Sequence, residues 1–205
     1  MPTVGPTVTV CEGEAVLLRP RKAGDLAACA RLLRTVHHHD GYPVVLPEDE
    51  LEFLVVPDTL GAWVALDGLE IVGHVALHRR SNAPVMALAA AVTGGDPEAF
   101  GVVARLLVAP SARRRGIARA LLERAAGAAV ERHLRPMLDV VTEHRSAIAL
   151  YDRCGWQCIG SVTVGFGGGL VVEELVYLAP ATGREPTGGE PTGTEPTSDR
   201  RDDGA

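Results

Sequence analysis

An apolar run that stops at a proline, turns on three consecutive arginines and enters a glycine constrains this chain more than any other segment. Val102-Val103-Ala104-Arg105-Leu106-Leu107-Val108 is short, rich in β-branched residues and closed by Ala109-Pro110, which suits a strand buried on both faces. From Gly116 to Arg132 the apolar residues Ile117, Leu121, Leu122, Ala125 and Val130 recur at helical spacing, so one face of a helix can lie on a sheet. The start of a helix leaves backbone N–H groups without intrahelical partners and carries partial positive charge. Gly116 has no Cβ and lets a ligand approach that backbone. With Arg113, Arg114 and Arg115 just ahead of it, the turn is suited to a phosphate or pyrophosphate.

The kind of phosphate ligand is narrowed by what the turn lacks. A nucleotide-triphosphate loop needs Gly, four residues, then Gly-Lys-Ser/Thr, and no such run exists here. A dinucleotide fingerprint needs three spaced glycines, and only Gly116 stands at this turn. What is present is Arg113-x-x-Gly116-x-Ala118, between a strand ending in Val-x-Pro and a helix continuing with Leu121-Leu122. Downstream, the apolar run Met137-Leu138-Asp139-Val140-Val141 leads into Ala147, Leu150, Tyr151, Gly155 and Trp156. The first segment resembles the acyl-CoA signature of the GCN5-related N-acetyltransferase (GNAT) family. The second resembles that family's Asn-x-x-Ala-x-x-Leu-Tyr-x-x-x-Gly-Phe/Trp segment. The resemblance runs over roughly residues 15–178 and is densest over 102–156.

The resemblance implies a mixed α/β fold (α+β) in which helices flank a central, mostly antiparallel mixed sheet with one splayed strand pair. It implies acetyl-CoA as acyl-donor substrate and an amine acceptor that attacks directly. The backbone from Arg113 through Arg114, Arg115, Gly116, Ile117 and Ala118 to Arg119 would grip the pyrophosphate. Leu106, Leu107 and Val108 would receive the pantetheine arm, with the Val108 N–H on the thioester oxygen. Tyr151 is the implied general acid: a phenol with pKa about 10 stays protonated beside a thiol near 8.5 and can donate to a departing thiolate. Asp139 is the implied base, directly or through water. His144 replaces the family's asparagine and stands as a cofactor contact, a titrating base or a surface histidine. Two other readings stay open, a non-catalytic acyl-CoA sensor or interaction module, and an acyltransferase with another acyl donor or a hydroxyl acceptor. A homodimer also stays open, and the acceptor is unspecified.

Length and composition set outer bounds. The 205 residues allow one domain with extensions. A formal charge of −6 offers no global attraction to nucleic acid or anionic lipid. No signal-like start and no uninterrupted membrane-length apolar run stand in the sequence, so a cytoplasmic protein is expected, with Cys11, Cys29, Cys154 and Cys158 as reduced thiols. His37-His38-His39-Asp40 looks like a metal cluster, but consecutive helical residues point in different directions, so no metal site is expected. His39, Asp40, Tyr42, Glu48 and Asp49 are expected near the acceptor mouth, Glu48 and Asp49 suiting a helix start equally well.

The expected organisation is an N-terminal extension over 1–14, a transferase domain over 15–179 and a disordered tail over 180–205 rich in Pro, Gly, Thr and Glu. Strands are expected at 15–19, 62–66, 71–78, 102–108 and 138–141, with a final hairpin of 159–165 and 170–178 across the glycines 167–169. One helix should be capped by Asp25 or begin at it, and a short one should carry Pro47 in its first turn. Residues 79–101 form an insertion with helix formers at 84–92, either a wall of the acceptor site or a surface excursion.

Overall fold

The computed structural model describes residues 7–11 and 14–180; the tail expected over 180–205 lies, past Pro180, outside the described residues. The strands are β1 (Thr7–Cys11), β2 (Glu14–Pro20), β3 (Thr59–Asp67), β4 (Glu70–His78), β5 (Phe100–Val108), β6 (Arg135–Val141), β7 (Gln157–Gly165) and β8 (Val171–Leu178). Among the described residues they form one sheet in the order β1-β2-β3-β4-β5-β6-β8-β7. Every neighbouring pair is antiparallel except β5–β6. The helices are α1 (Leu26–Asp40), α2 (Glu50–Leu54), α3 (Ala83–Thr93), α4 (Ile117–Val130) and α5 (Arg145–Arg153).

Alternation along β4 divides the helices between the two faces of the sheet. A side chain at Gly73 would stand 2.8 Å from Leu121 Cδ1, so α4 lies directly on that glycine. The next residue, His74, turns to the opposite face, where Arg21 joins it to the last turn of α2. Ile117, Leu121, Leu122 and Ala125 of α4 are buried, as are Cys29, Leu32, Leu33 and Val36 of α1. Together they cover the middle strands from either side. The helix α3 has its own apolar cluster, with Val85, Met86 and Ala89 packed on Phe100, Val102, Met137, Val176 and Leu178.

The elements depart from the sequence expectations in instructive places. The N-terminal extension supplies a strand, β1, paired with β2 from Thr7↔Leu18 to Cys11↔Glu14. Asp25 does not cap α1 with its side chain; the carboxylate instead accepts the Lys22 N–H at 2.6 Å and holds Arg19 through two hydrogen bonds. The short helix α2 starts at Glu50 and not at Pro47, because Asp49 accepts the Leu51 N–H at 2.8 Å and sets the first turn there. The strand β5 is buried through Val103, but Ala104, Arg105, Leu106 and Val108 are partly open. The cause is its parallel neighbour. β5 and β6 pair only at Phe100↔Arg135, Gly101↔Pro136 and Val102↔Met137, and then separate.

Two buried histidines make the fold acid-sensitive. His74 and His78 are 0 % and 4 % exposed, and burial pushes both imidazoles down to about 4. The His78 Nε2 has no hydrogen-bond partner among the described residues. An unfolded histidine titrates near about 6.5. As pH falls from there to about 4, the unfolded chain takes up protons that the native chain refuses. This part of the stability is complete above pH 6.5 and is lost across that window, by up to about 1.4 kcal/mol per pH unit for each ring. His78→Met is expected to keep or raise stability at pH 7 and to remove one histidine's share of the slope, as measured by urea unfolding at several pH values.

Candidate active site

The cleft between the diverging strands has a volume of about 760 Å³. One of its walls is shaped by a bulge in β5. Pairing with β4 slips between His74↔Leu107 and Ala76↔Ala104, so Arg105 and Leu106 both stand opposite Val75, with Arg105 at φ 56°. Past the bulge, the Ala109 N–H donates to the Val72 carbonyl at 2.8 Å. In an antiparallel ladder this alternates, so Leu107 bonds back to His74 while the N–H and C=O of Val108, opposite Gly73, point away from β4 towards the cleft. The Val108 carbonyl accepts Arg113 Nε at 3.3 Å, in keeping with that direction.

The bulge is held from behind by a buried polar chain. His74 Nε2 lies 3.0 Å from Arg21 Nη1, and His74 Nδ1 lies 3.0 Å from the Arg105 carbonyl. A guanidinium only donates, so Nε2 accepts, and Nδ1 carries the proton and donates to the carbonyl. Arg21 also donates to the Leu54 carbonyl at 2.7 Å, and Arg105 Nε donates to the Phe53 carbonyl at 3.0 Å. The Arg105 guanidinium lies 3.8 Å over the Phe53 ring. The end of α2 is thereby clamped to the bulge twice.

At the other end of the cleft the chain enters α4 through Gly116 at φ 80°, a conformation suited to glycine. The amides of Gly116, Ile117, Ala118 and Arg119 have no acceptor among the described residues. The arginines around them differ in what they do. Arg113 makes a two-pronged ion pair with Asp40, at 2.9 Å through Nη1. Arg115 pairs with Asp67 at 2.6 Å, and Arg119 pairs with Glu123 at 2.7 Å. Arg114 is exposed at φ 64° and makes no ion pair among the described residues. Arg113, Arg114, Gly116, Ile117, Ala118 and Arg119 border the cleft, as do Leu106 and Val108. Arg115, turned to the β3–β4 hairpin, and Leu107, 1 % exposed in the core, do not.

Titratable groups gather where the strands part. Tyr151 on α5 is 7 % exposed, packed beside Trp156 and Tyr177, and its hydroxyl bonds to nothing among the described residues. Burial drives its pKa well above the ordinary tyrosine range, and Tyr42 and Asp139 add to the shift. Asp139 on β6 accepts Ser81 Oγ at 2.7 Å. Burial raises its carboxyl above the usual range, against the pull of Ser81 and Arg105. His144, just before α5, sets its ring edge-on to Tyr42 at 5.5 Å, and burial holds it below the usual histidine range. Its Nε2 is buried with no partner among the described residues.

Of the residues expected at the acceptor mouth, Asp40 and Tyr42 line the cleft. His39 instead contacts Asp40 at 2.9 Å, and Asp49 caps α2. The sequence reading missed Glu174, Arg105, Phe53 and Phe166 in the cleft wall, and the support from Ser81 and Asn82. A signal for Glu174 did exist. It alternates with Val172 and Val176 in an apolar strand, which turns it to a covered face.

Residues 26–156 match the Acetyltransferase (GNAT) family, and the chain belongs to that family. Solved structures share the fold. The GNAT domain of S. lividans PAT is 22% identical, with 87% of this chain and 99% of that chain covered and a TM-score of 0.60. A probable acetyltransferase from Staphylococcus epidermidis is 15% identical, covering 82% and 99%, with a TM-score of 0.62. Arabidopsis thaliana NAA60, crystallised with acetyl-CoA, is 22% identical, covering 80% and 97%, with a TM-score of 0.59. No curated protein matches the sequence significantly. Among the described residues, no helix is long and apolar enough to cross a membrane.

The clamp behind the bulge is open to a direct test. His74→Leu leaves the Arg105 carbonyl and one Arg21 N–H unpaired, at a cost of about 1–3 kcal/mol for each group. Urea unfolding at pH 7 should show the loss, and an unchanged midpoint would rule out the clamp as a source of stability.

Proposed function

We propose that the protein transfers an acetyl group from acetyl-CoA to an amine by direct attack. The supporting observation is that one cleft joins the free amides after Gly116 to the inward edge of Val108, Tyr151 and Asp139. The amides and the positive end of α4 bind the pyrophosphate. The pantetheine arm lies along Leu106 and Val108, and the orphaned His144 Nε2 supplies a hydrogen bond to it in place of the family's asparagine. The Val108 N–H faces the thioester oxygen and stabilises the charge that develops there, a role for which one donor contributes about 3 kcal/mol.

In the chemical step the amine nitrogen forms a bond to the thioester carbon and the carbon–sulfur bond breaks. Asp139 takes the proton that the nitrogen sheds, directly or through water, and the Tyr151 hydroxyl protonates the departing sulfur. Exchange with solvent then returns a proton to the phenolate and removes the one on Asp139. The environments suit the roles. A raised carboxyl is a stronger base than a free one, and a deeply buried tyrosine stays protonated until it is called on.

Three variants test this reading. Gly116→Val places a branched side chain at φ 80° and over the amides. It should cost about 1–2 kcal/mol of stability. It should also weaken acetyl-CoA binding by about 100-fold or more, some 3 kcal/mol, by calorimetry. Tyr151→Phe should lower turnover with a panel of primary amines by about 10²–10⁴ at unchanged acetyl-CoA affinity. Activity should fall as pH drops through the raised Asp139 pKa, and Asp139→Asn should lose that limb together with most of the rate. Full turnover in Tyr151→Phe and Asp139→Asn would remove these residues from the chemistry.

A further inference from the structure

We infer that Glu174 joins Asp139 in receiving the acceptor as an ammonium, and that the acceptor is a primary amine carried on an apolar body; this rests on reading the cleft as an acetyl-transfer site. Glu174 takes the first of the ammonium's protons, which frees the nitrogen lone pair for attack, and Asp139 takes the second as the amide forms. Glu174 lies on β8 with Cα opposite Val141, and Asp139 is paired with Val176. In an antiparallel ladder those residues share a face, so the two carboxyls are diagonal neighbours. Both line the cleft, and Glu174 is only 5 % exposed.

Their partners are neutral. Glu174 Oε2 accepts Asn82 Nδ2 at 3.0 Å, and Asp139 Oδ1 accepts the Ser81 hydroxyl. Oε1 of Glu174 accepts from nothing among the described residues, and neither carboxyl has an ion pair there. Arg105 is the cation that Asp139 feels, but its guanidinium is committed to the Phe53 carbonyl and ring. Two carboxylates buried side by side without a counter-charge are costly. The apolar cluster of Val85, Met86, Met137 and Val176 lies alongside and supplies no counter-charge. The arrangement is accounted for if a cation enters from the cleft and takes the open oxygen.

Beside Arg105, whose guanidinium lies on the Phe53 ring, much of that end of the cleft is apolar or aromatic. Tyr42, Val44, Phe53 and the partly exposed Val45 and Phe166, 51 % and 37 % open, form its wall and rim. Ser81 and Asn82 stand at the start of α3, in the segment between β4 and β5, and α3 is seated on the β5–β6–β8 surface. They are positioning residues that orient the two carboxyls.

The test separates this inference from the reading beneath it. Coenzyme A is first titrated into the wild type, Glu174→Gln and Asn82→Ser by calorimetry, with equal affinities expected. No binding to the wild type would remove the transferase reading itself. The coenzyme A complexes are then titrated with 2-phenylethylamine and with its uncharged isostere 2-phenylethanol. The wild type should bind the amine at least about tenfold more tightly than the alcohol, about 1.4 kcal/mol. Glu174→Gln should bring that ratio close to one, and Asn82→Ser, which keeps a capping oxygen for α3, should reduce it several-fold. The inference is overturned if the wild-type complex binds neither probe, shows no preference, or keeps its full preference in either variant.

Discussion

Strands β5 and β6 share register over Phe100–Val102 and Arg135–Met137 and then part, which leaves backbone edges that the sheet itself cannot satisfy. An unpaired strand edge buried in a protein is costly unless something else takes its hydrogen bonds. Here the separation opens the cleft, and the bulge at Arg105 aims the edge of β5 into it. A bulge of this kind bends and twists its strand. It persists because His74, Arg21 and the carbonyls of Phe53 and Leu54 hold it from the side of α2. The shape of the cleft thus depends on a neutral, buried imidazole on the same face of the sheet as Asp139.

The arginine turn acts less through charge than its composition suggests. Three of its guanidinium groups are matched by Asp40, Asp67 and Glu123. What the turn offers a ligand is therefore mainly oriented backbone, the amides after Gly116 and the end of the α4 dipole. The Arg113–Asp40 pair also has a mechanical effect. It ties the last residue of α1 to the start of the turn, so that the two ends of the cleft are joined directly. The same guanidinium holds the Asp40 carboxyl below its usual range, with His39 assisting.

Much of this was legible in advance, and the limits have physical causes. The βα unit around Gly116 and the helix carrying Tyr151 could be read because glycine, arginine and apolar spacing act over a single turn. The insertion was legible as a helix from the helix formers at 84–92 and the closing glycine Gly94, and the structure adds the Asn82 cap. Its placement was not, because that follows from where α3 lands on the sheet, and none of residues 79–101 lines the cleft. The reading of β5 as buried on both faces failed for a related reason. An apolar run reports that its residues avoid water, not whether a strand or a cleft lies beside them.

By itself, then, the amino-acid sequence determined the periodic elements, the arginine–glycine turn proposed to bind an anion and the candidate acid at Tyr151, because each is written within a few neighbouring residues. Tertiary structure alone decided which arginines face the cleft, that Val108 turns its amide inward, and that Glu174 stands beside Asp139. Ser81 and Asp139 are 58 residues apart, and Asn82 and Glu174 are 92 apart. Contacts at such distances are set by strand order and register, which no local pattern encodes.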